Sequence, residues 1–435
     1  MISKQLVDEL FAQFGTDDIT QLSIREVGKL VSMIEQESGV EFIHMEMGVP
    51  GLPPSQIGIE AEKEALDKGL AQFYPNIEGI EPAKTEIARF AKLFMNLDVS
   101  PKQCIPTVGG MQGSFAALLA AARTNPEKPY TLFIDPGFPV QKSQLHLMGV
   151  PFKTFDLLNY RGEKLKGKLE EFLKEGNICS ICYSSPNNPS WICFTDEELK
   201  TIGELANKYD VIVIEDLAYF GMDFRQNYGF AGIEPYQPTI AHYAENYILL
   251  LSTSKIFSYA GQRIGMMIFS EKSYSRKYPN LKNYFTSDTL GHFIPYGVLY
   301  ATTAGTSHTA QYALTKMLKA ANDNQLNFTE ALHLYGEKAK RMKEVFLSHG
   351  FYIVYNDNKR ELADGFYFTI AYPDLTSAEL MRKFLYYGIS AISLAITGSE
   401  NPNGLRACVS YVGLDQIPVL EERLKEFDKE MKMNL

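Results

Sequence analysis

Cysteine is scarce in this chain, with five in 435 residues, and the number is odd. That argues against a disulfide framework and for a reducing compartment. Tryptophan occurs once, at Trp191. No apolar run approaches the ~18 residues that suggest a membrane-crossing helix; the densest, such as 247–251, are strand-sized. The opening stretch MISKQLVDELF has no long apolar core, so it is not expected to be a secretory signal. Positive charge is in deficit: 42 Lys plus Arg face 52 Asp plus Glu, a net charge of −10. Such a chain lacks the electrostatic footprint of a general nucleic-acid binder. Repeats of fixed period and low-complexity tracts are also missing. These absences together predict a cytoplasmic, soluble protein with no nucleic-acid or membrane partner.

What is present is ordinary globular material. Apolar residues make up 45% and charged residues 22%. The length suggests two or three structural units and a core that needs no staples. From about residue 100 to 270, short apolar runs alternate with helical periodicity. Runs 105–108, 130–134, 178–183, 211–214, 247–251 and 264–269 read as strands; 113–123 and 197–209 read as helices. That order predicts an α/β fold whose mainly parallel, mixed sheet is flanked by helices. Beyond about 305 the pattern becomes a smaller α+β unit, with helices at 310–321, 329–348, 377–386 and 417–432 and strands at 352–355, 365–371 and 405–410. The expected division is a large domain over 48–303 and a small domain made of 1–47 and 304–435. Leu6, Leu10 and Phe14 give the first segment helical spacing. It is either a plain surface helix or an arm that packs on a second subunit.

Ligands of open α/β sheets collect beyond the carboxyl ends of the strands, and four segments at such ends carry chemistry. Gly109-Gly110-Met111-Gln112-Gly113-Ser114 joins a strand to a helix. Glycines let the backbone approach an anion, and the helix start supplies free N–H groups. The same loop fits a plain tight turn. It also holds half of a dinucleotide fingerprint, with Val108 where the first glycine belongs and Asp135 ending the next strand. A nicotinamide-dependent enzyme is therefore one alternative. Ser252-Thr253-Ser254-Lys255 follows an apolar strand, and Arg263 lies eight residues on. A lysine at a strand end can be desolvated to the neutral amine that a Schiff base requires, and an arginine can grip a phosphate bidentately. The bland alternative is a solvated surface lysine and arginine. Glu215-Asp216-Leu217-Ala218-Tyr219 ends a run of four apolar residues, where a carboxylate needs a partner. A pyridinium N–H would serve, as would a helix cap or an internal ion pair. Finally, Ser185-Pro186-Asn187-Asn188-Pro189 holds an asparagine extended ahead of a proline, or is a bare turn.

In this order and at these separations, the four segments resemble the fold-type-I aminotransferases of class I/II, over about residues 48 to 406. The resemblance implies pyridoxal 5'-phosphate as cofactor and amino-group transfer between an L-amino acid and a 2-oxo acid. It makes Lys255 the lysine that holds the cofactor as a Schiff base. Asp216 is then the partner of the pyridine nitrogen, and Tyr219 and Asn188 are hydrogen-bond donors to the ring oxygen. Phe138, in Asp-Pro-Gly-Phe, matches the aromatic that stacks on the ring. Gly110, Met111, Ser252 and Arg263 match the phosphate donors. Tyr74, in Tyr-Pro-Asn-Ile-Glu-Gly-Ile, is similar to the tyrosine that reaches a neighbouring subunit's phosphate, which implies a homodimer. Gly48 matches the glycine over the substrate, and Arg406 the arginine that clamps its α-carboxylate. One departure stands out: where the family continues Asn-Pro with Thr or Ser and then Gly, this chain has Ser190 and Trp191. Core packing or a pocket wall are the two roles open to that ring.

The same residues suit a C–S β-lyase or a decarboxylase of the same fold, which is the first alternative reaction. A non-enzymatic ligand sensor is another, though only about 45 residues precede Gly48 and they are not basic. Metal binding is not expected. Cys179 and Cys182 lie three apart on a predicted strand and so face opposite sides; they read as core residues.

Overall fold

Strands without polar alternation must be covered on both faces. The computed structural model, which describes residues 1–357 and 360–433, builds such a sheet. It has seven strands: β1 (Cys104–Thr107), β2 (Tyr130–Asp135), β3 (Phe152–Asp156), β4 (Ile178–Ser184), β5 (Ile212–Leu217), β6 (Tyr247–Ser252) and β7 (Gly265–Phe269). Their order across the sheet is β1-β7-β6-β5-β4-β2-β3. The pairs β6–β5, β5–β4, β4–β2 and β2–β3 are parallel, while β7 runs against both its neighbours. Every position of β4 and β6 is buried, which is why their sequences carry no alternation.

The chain divides into two units. The larger holds Leu52–Pro186 and Cys193–Leu332; the smaller holds Met1–Gly51, Asn187–Ile192 and His333–Leu435. The boundaries fall at 51/52 and 332/333, where the sequence pattern suggested 47/48 and 303/304. The reason is the helix His308–Asn322, which packs against Gln56–Asp67 and Glu81–Met95 and buries Ala313, Leu314, Met317 and Leu318 among them. Each such leucine removed from water is worth roughly 2 kcal/mol. In addition, the short segment 187–192 is contributed to the smaller unit by a loop between larger-unit elements, which no local pattern announces.

The smaller unit is α+β. Its sheet runs Ile392–Ser393, Leu405–Cys408, Tyr367–Ala371, Tyr352–Ile353, all antiparallel. Helices His333–Ser348, Ser377–Tyr386 and Gln416–Met433 enclose an aromatic core of Phe346, Phe351, Phe384 and Phe427. Ile43–His44 pairs in parallel with Ile389–Ser390. The first helix, Lys4–Phe11, is shorter than its apolar spacing suggests and docks on its own chain. Val7 and Phe11 are buried, Ile2 N–H donates to the Tyr386 carbonyl at 2.7 Å, and Arg382 stacks over Phe11.

Most predicted elements lie within a few residues of their observed bounds. The helix predicted at 113–123 begins earlier, at Gly109, because Gly109 takes φ +65° and turns the chain into the helix directly from the strand. The helix predicted from 329 begins at His333 instead. Asn327 Oδ1 accepts from the Thr329 N–H and hydroxyl and holds a turn there.

Candidate functional site

The larger unit gathers its chemistry at one end of the sheet. Register sets Thr107 opposite Gly265, Gly265 opposite Ser252, Leu251 opposite Leu217, and Asp216 opposite Ser184. Ser252 ends β6 and caps a single helical turn, Thr253–Ile256, by accepting from the Ser254 N–H at 3.2 Å. The Thr253 hydroxyl donates to the Ile264 carbonyl at 2.8 Å, so the turn carrying Lys255 is tied to the residue before β7. Lys255 is half-buried. Arg263 adopts φ +53°, and its Nη1 donates to the Ala260 carbonyl at 2.7 Å.

Two glycines bring the phosphate-type donors together. A Cβ at Gly109 would lie 2.5 Å from Arg263 Nη2, so the guanidinium rests directly on that backbone. A Cβ at Gly265 would lie 2.9–3.0 Å from the Gly109 carbon and Gly110 nitrogen, so β7 also passes close beneath the helix start. Gly110 and Met111 occupy the first turn of Gly109–Ala122, whose N–H groups have no helical acceptor. An arginine, a serine and a helix start at one sheet end match the donor set of a phosphate.

Asp216 lies at the end of β5. Its Oδ2 accepts from Gln141 Nε2 at 2.9 Å and its Oδ1 from the Ala218 N–H at 3.0 Å. Burial pushes its carboxyl up to about 6, against the pull of those two hydrogen bonds. Among the described residues no cation is within ion-pair distance of it, so this carboxylate lacks a positive partner of its own. A protonated pyridine nitrogen would fit that need. Phe138 caps the helix Pro139–Leu147, and Gln141 sits three residues on, about one turn along the same helix. Gln141 was not legible in the sequence, since its one signal was proximity to Phe138 on a predicted turn. Tyr219 is buried just after β5. Tyr74 is 89% exposed, beside Phe73 at 56%.

Asp135 has a different employment. It is buried, and Lys142 Nζ donates to both its oxygens at 2.6 Å. An acid engaged in this way is a poor ribose ligand, which removes the main support for a nicotinamide site.

Neighbouring Glu215 faces the other side of β5. Its oxygens accept from Thr239 Oγ1 at 2.5 Å, the Ile240 N–H at 3.1 Å and the Tyr183 hydroxyl at 3.1 Å. Burial nevertheless raises its carboxyl to about 7 from an ordinary 4.5. A raised carboxyl favours the folded state fully below the ordinary value and loses that contribution as pH climbs through 7, about 3 kcal/mol in all. Glu215→Gln is therefore expected to raise the melting temperature at pH 8 by several degrees and to flatten its fall between about pH 4.5 and 7. Asp216, raised to about 6, adds a fall of the same sign between about pH 3.8 and 6. An unchanged profile in thermal melts across that range would assign the titration elsewhere.

The smaller unit holds Gly48, Asn188 and Arg406. Arg406 lies on the central strand Leu405–Cys408 and is 1% exposed. Its Nη2 donates to the Glu46 carbonyl at 2.6 Å and its Nη1 to Asn188 Oδ1 at 3.3 Å. Its Nε is buried with no hydrogen-bond acceptor, and among the described residues no carboxylate reaches the guanidinium. A buried cation held only by neutral acceptors is a site for an anion. Asn188 sits in a closed loop where the Asn187 side chain accepts from the Ser190 N–H and hydroxyl. Trp191 takes φ +59°, a left-handed backbone suited to the family's glycine, and buries its ring against Gly365 and Tyr367. Cys179 and Cys182 are buried in the larger unit, where loss of solvation raises both thiols.

Residues 41–424 match the family described as aminotransferase class I and II. An LL-diaminopimelate aminotransferase of Natranaerobius thermophilus is 26% identical over 314 residues, covering 70% of this chain and 77% of that one. A probable aspartate aminotransferase of Methanocaldococcus jannaschii is 26% identical over 258 residues, 59% of this chain and 62%, under two thirds, of its own length. In three dimensions the aspartate aminotransferase of Thermotoga maritima overlays with a TM-score of 0.75 at 19% identity, across 94% of this chain and 97% of that chain. At that identity the overlay speaks for the fold.

Proposed function

This chain belongs to the aminotransferase class I and II family, pyridoxal-phosphate enzymes that move an amino group between an amino acid and a 2-oxo acid, and we propose that Lys255, Asp216 and Arg406 carry that reaction here. The observation that carries the assignment is a pair of charges unmatched among the described residues: a half-buried carboxylate at Asp216 with no cation, and a buried guanidinium at Arg406 with no anion. The cofactor answers the first charge and the substrate carboxylate the second.

When bound, pyridoxal phosphate supplies an aldehyde and a ring that accepts an electron pair. Asp216 holds a proton on the ring nitrogen, and Gln141 and Ala218 fix its carboxylate for that contact. Ser252, Arg263 and the N–H groups of Gly110 and Met111 bind the phosphate. The resemblance gives Tyr219 and Asn188 as donors to the ring oxygen; Asn188 would donate through Nδ2, since its Oδ1 accepts from Arg406. Phe138 is the residue that would stack on the ring. Arg406 would bind the α-carboxylate, and Gly48, the glycine that the resemblance places over the substrate, lies against the Tyr367 hydroxyl. Lys255 would hold the cofactor, and its free Nζ would take the proton from the substrate Cα as general base and deliver it to the former aldehyde carbon as general acid.

The working form is a homodimer in which Tyr74 reaches the neighbour's phosphate; its near-complete exposure in the single chain, with Phe73 beside it, supports this. Cytoplasmic placement is supported by five free cysteines. Among the described residues no helix is long and apolar enough to cross a membrane.

The relatives are named for a diamino acid and for aspartate, and others for aromatic substrates. The deciding experiment is a panel of these amino donors with 2-oxoglutarate or pyruvate as acceptor, following the cofactor spectrum in each half-reaction. Amino-group transfer to the oxo acid is expected. Pyruvate and ammonia from a single amino acid, or loss of carbon dioxide, would instead assign a lyase or decarboxylase.

A further inference from the structure

The guanidinium of Arg406 is held on more than its edges. On the smaller unit's sheet Arg406 stands opposite Thr369, and Cys408 opposite Tyr367. Arg406 and Tyr367 are thus diagonal neighbours on one face, a spacing that a long side chain and a ring can bridge. Arg406 Cζ lies 4.4 Å from the Tyr367 ring centroid. Asn188 and Glu46 hold two nitrogens in the plane, and the ring fixes the plane itself.

Tyr367 is in turn immobilised. It is 2% exposed, and Trp191 meets it edge-on, with centroids 5.9 Å apart at 66°. At its tip, a Cβ on Gly48 would fall 1.8 Å from the hydroxyl oxygen. Behind Trp191, a Cβ on Gly365 would fall 2.3 Å from the indole. The tryptophan also occupies a left-handed backbone that disfavours any side chain. Its buried ring is what offsets that conformation.

We propose that Tyr367, buttressed by Trp191, is the positioning residue that sets the plane of the Arg406 guanidinium and with it the affinity for the substrate carboxylate. The proposal rests on the reading of Arg406 given above. It gives Trp191 a positioning part as well: the indole fills the space beside Tyr367, so the arginine presents its Nε edge in one orientation.

The test compares Tyr367→Leu, Tyr367→Phe and Arg406→Gln in the cofactor-loaded enzyme. Four quantities are read: KM for the amino donor, kcat, the inhibition constant of 3-phenylpropanoate as an unreactive carboxylate, and the melting temperature. Tyr367→Leu is expected to raise KM and the inhibition constant about tenfold, the scale of a desolvated cation–π contact, with kcat within about threefold. Tyr367→Phe keeps the ring and is expected to behave as wild type. Equal effects from Leu and Phe, or a fall in kcat with no change in inhibitor binding, would overturn the positioning role. If Arg406→Gln leaves the inhibition constant unchanged, the carboxylate reading itself fails. If Arg406→Gln weakens the inhibitor and Tyr367→Leu does not, only the positioning role fails. Should Tyr367→Leu not fold, Trp191→Phe decides: a rise of about two- to threefold in the inhibition constant supports the proposal, and no rise overturns it.

Discussion

Lys255→Ala is expected to abolish amino-group transfer, lowering kcat by at least about 10⁴-fold, and to remove the yellow absorbance that the wild type shows with added pyridoxal phosphate. The variant loses two functions at once, the covalent attachment and the proton transfer at the substrate Cα, and general acid–base catalysis alone is worth about 10²–10⁴. Its melting temperature should stay near the wild-type value. Lys255 is half-buried on a turn whose anchoring bonds come from Ser252 and Thr253, and the substitution leaves those intact. Spectra and single-turnover assays on the two proteins check this directly. A lysine-independent band, or residual turnover within about tenfold of wild type, would remove Lys255 from the mechanism.

Asp216→Asn should have the second largest effect, about 10²-fold in kcat together with weaker cofactor binding, the scale of losing a hydrogen bond to a charged group. Both aspartate oxygens already accept from protein donors, Gln141 Nε2 and the Ala218 N–H. An asparagine has only one acceptor oxygen, so its NH₂ must face a donor or turn the side chain away. The wild type should also lose cofactor affinity as pH falls through about 6, where Asp216 becomes protonated. In Asp216→Asn that limb should vanish. Titrating the apo-protein with cofactor from pH 5 to 8 measures both effects. A variant that keeps the wild-type pH profile would mean that Asp216 is not the group that responds.

Much of this site was legible because its residues sit at strand ends, where an apolar run stopping at a charged or hydroxyl residue marks the place. Ser252 and Lys255 after β6, and Asp216 at the end of β5, announce themselves in this way. Arg406 was harder. It lies within a buried strand, and nothing local separates it from a surface arginine; only the ordered set of motifs points to it. Gln141, Glu46 and Tyr367 were not legible at all. Each acts through a partner far off in the chain: Asp216 lies 75 residues from Gln141, and Arg406 lies 360 from Glu46.

The sequence by itself determined the mixed α/β sheet and the strand ends that carry chemistry, because hydrophobic periodicity and short-range turn chemistry are local properties; the class of cofactor followed from the family resemblance of the four ordered segments. Tertiary structure alone decided where the units divide, that Asp135 is engaged by Lys142, and that Trp191 lies under Tyr367. Those outcomes depend on which buried surfaces and charges find one another across the chain, and packing complementarity of that kind has no local signature.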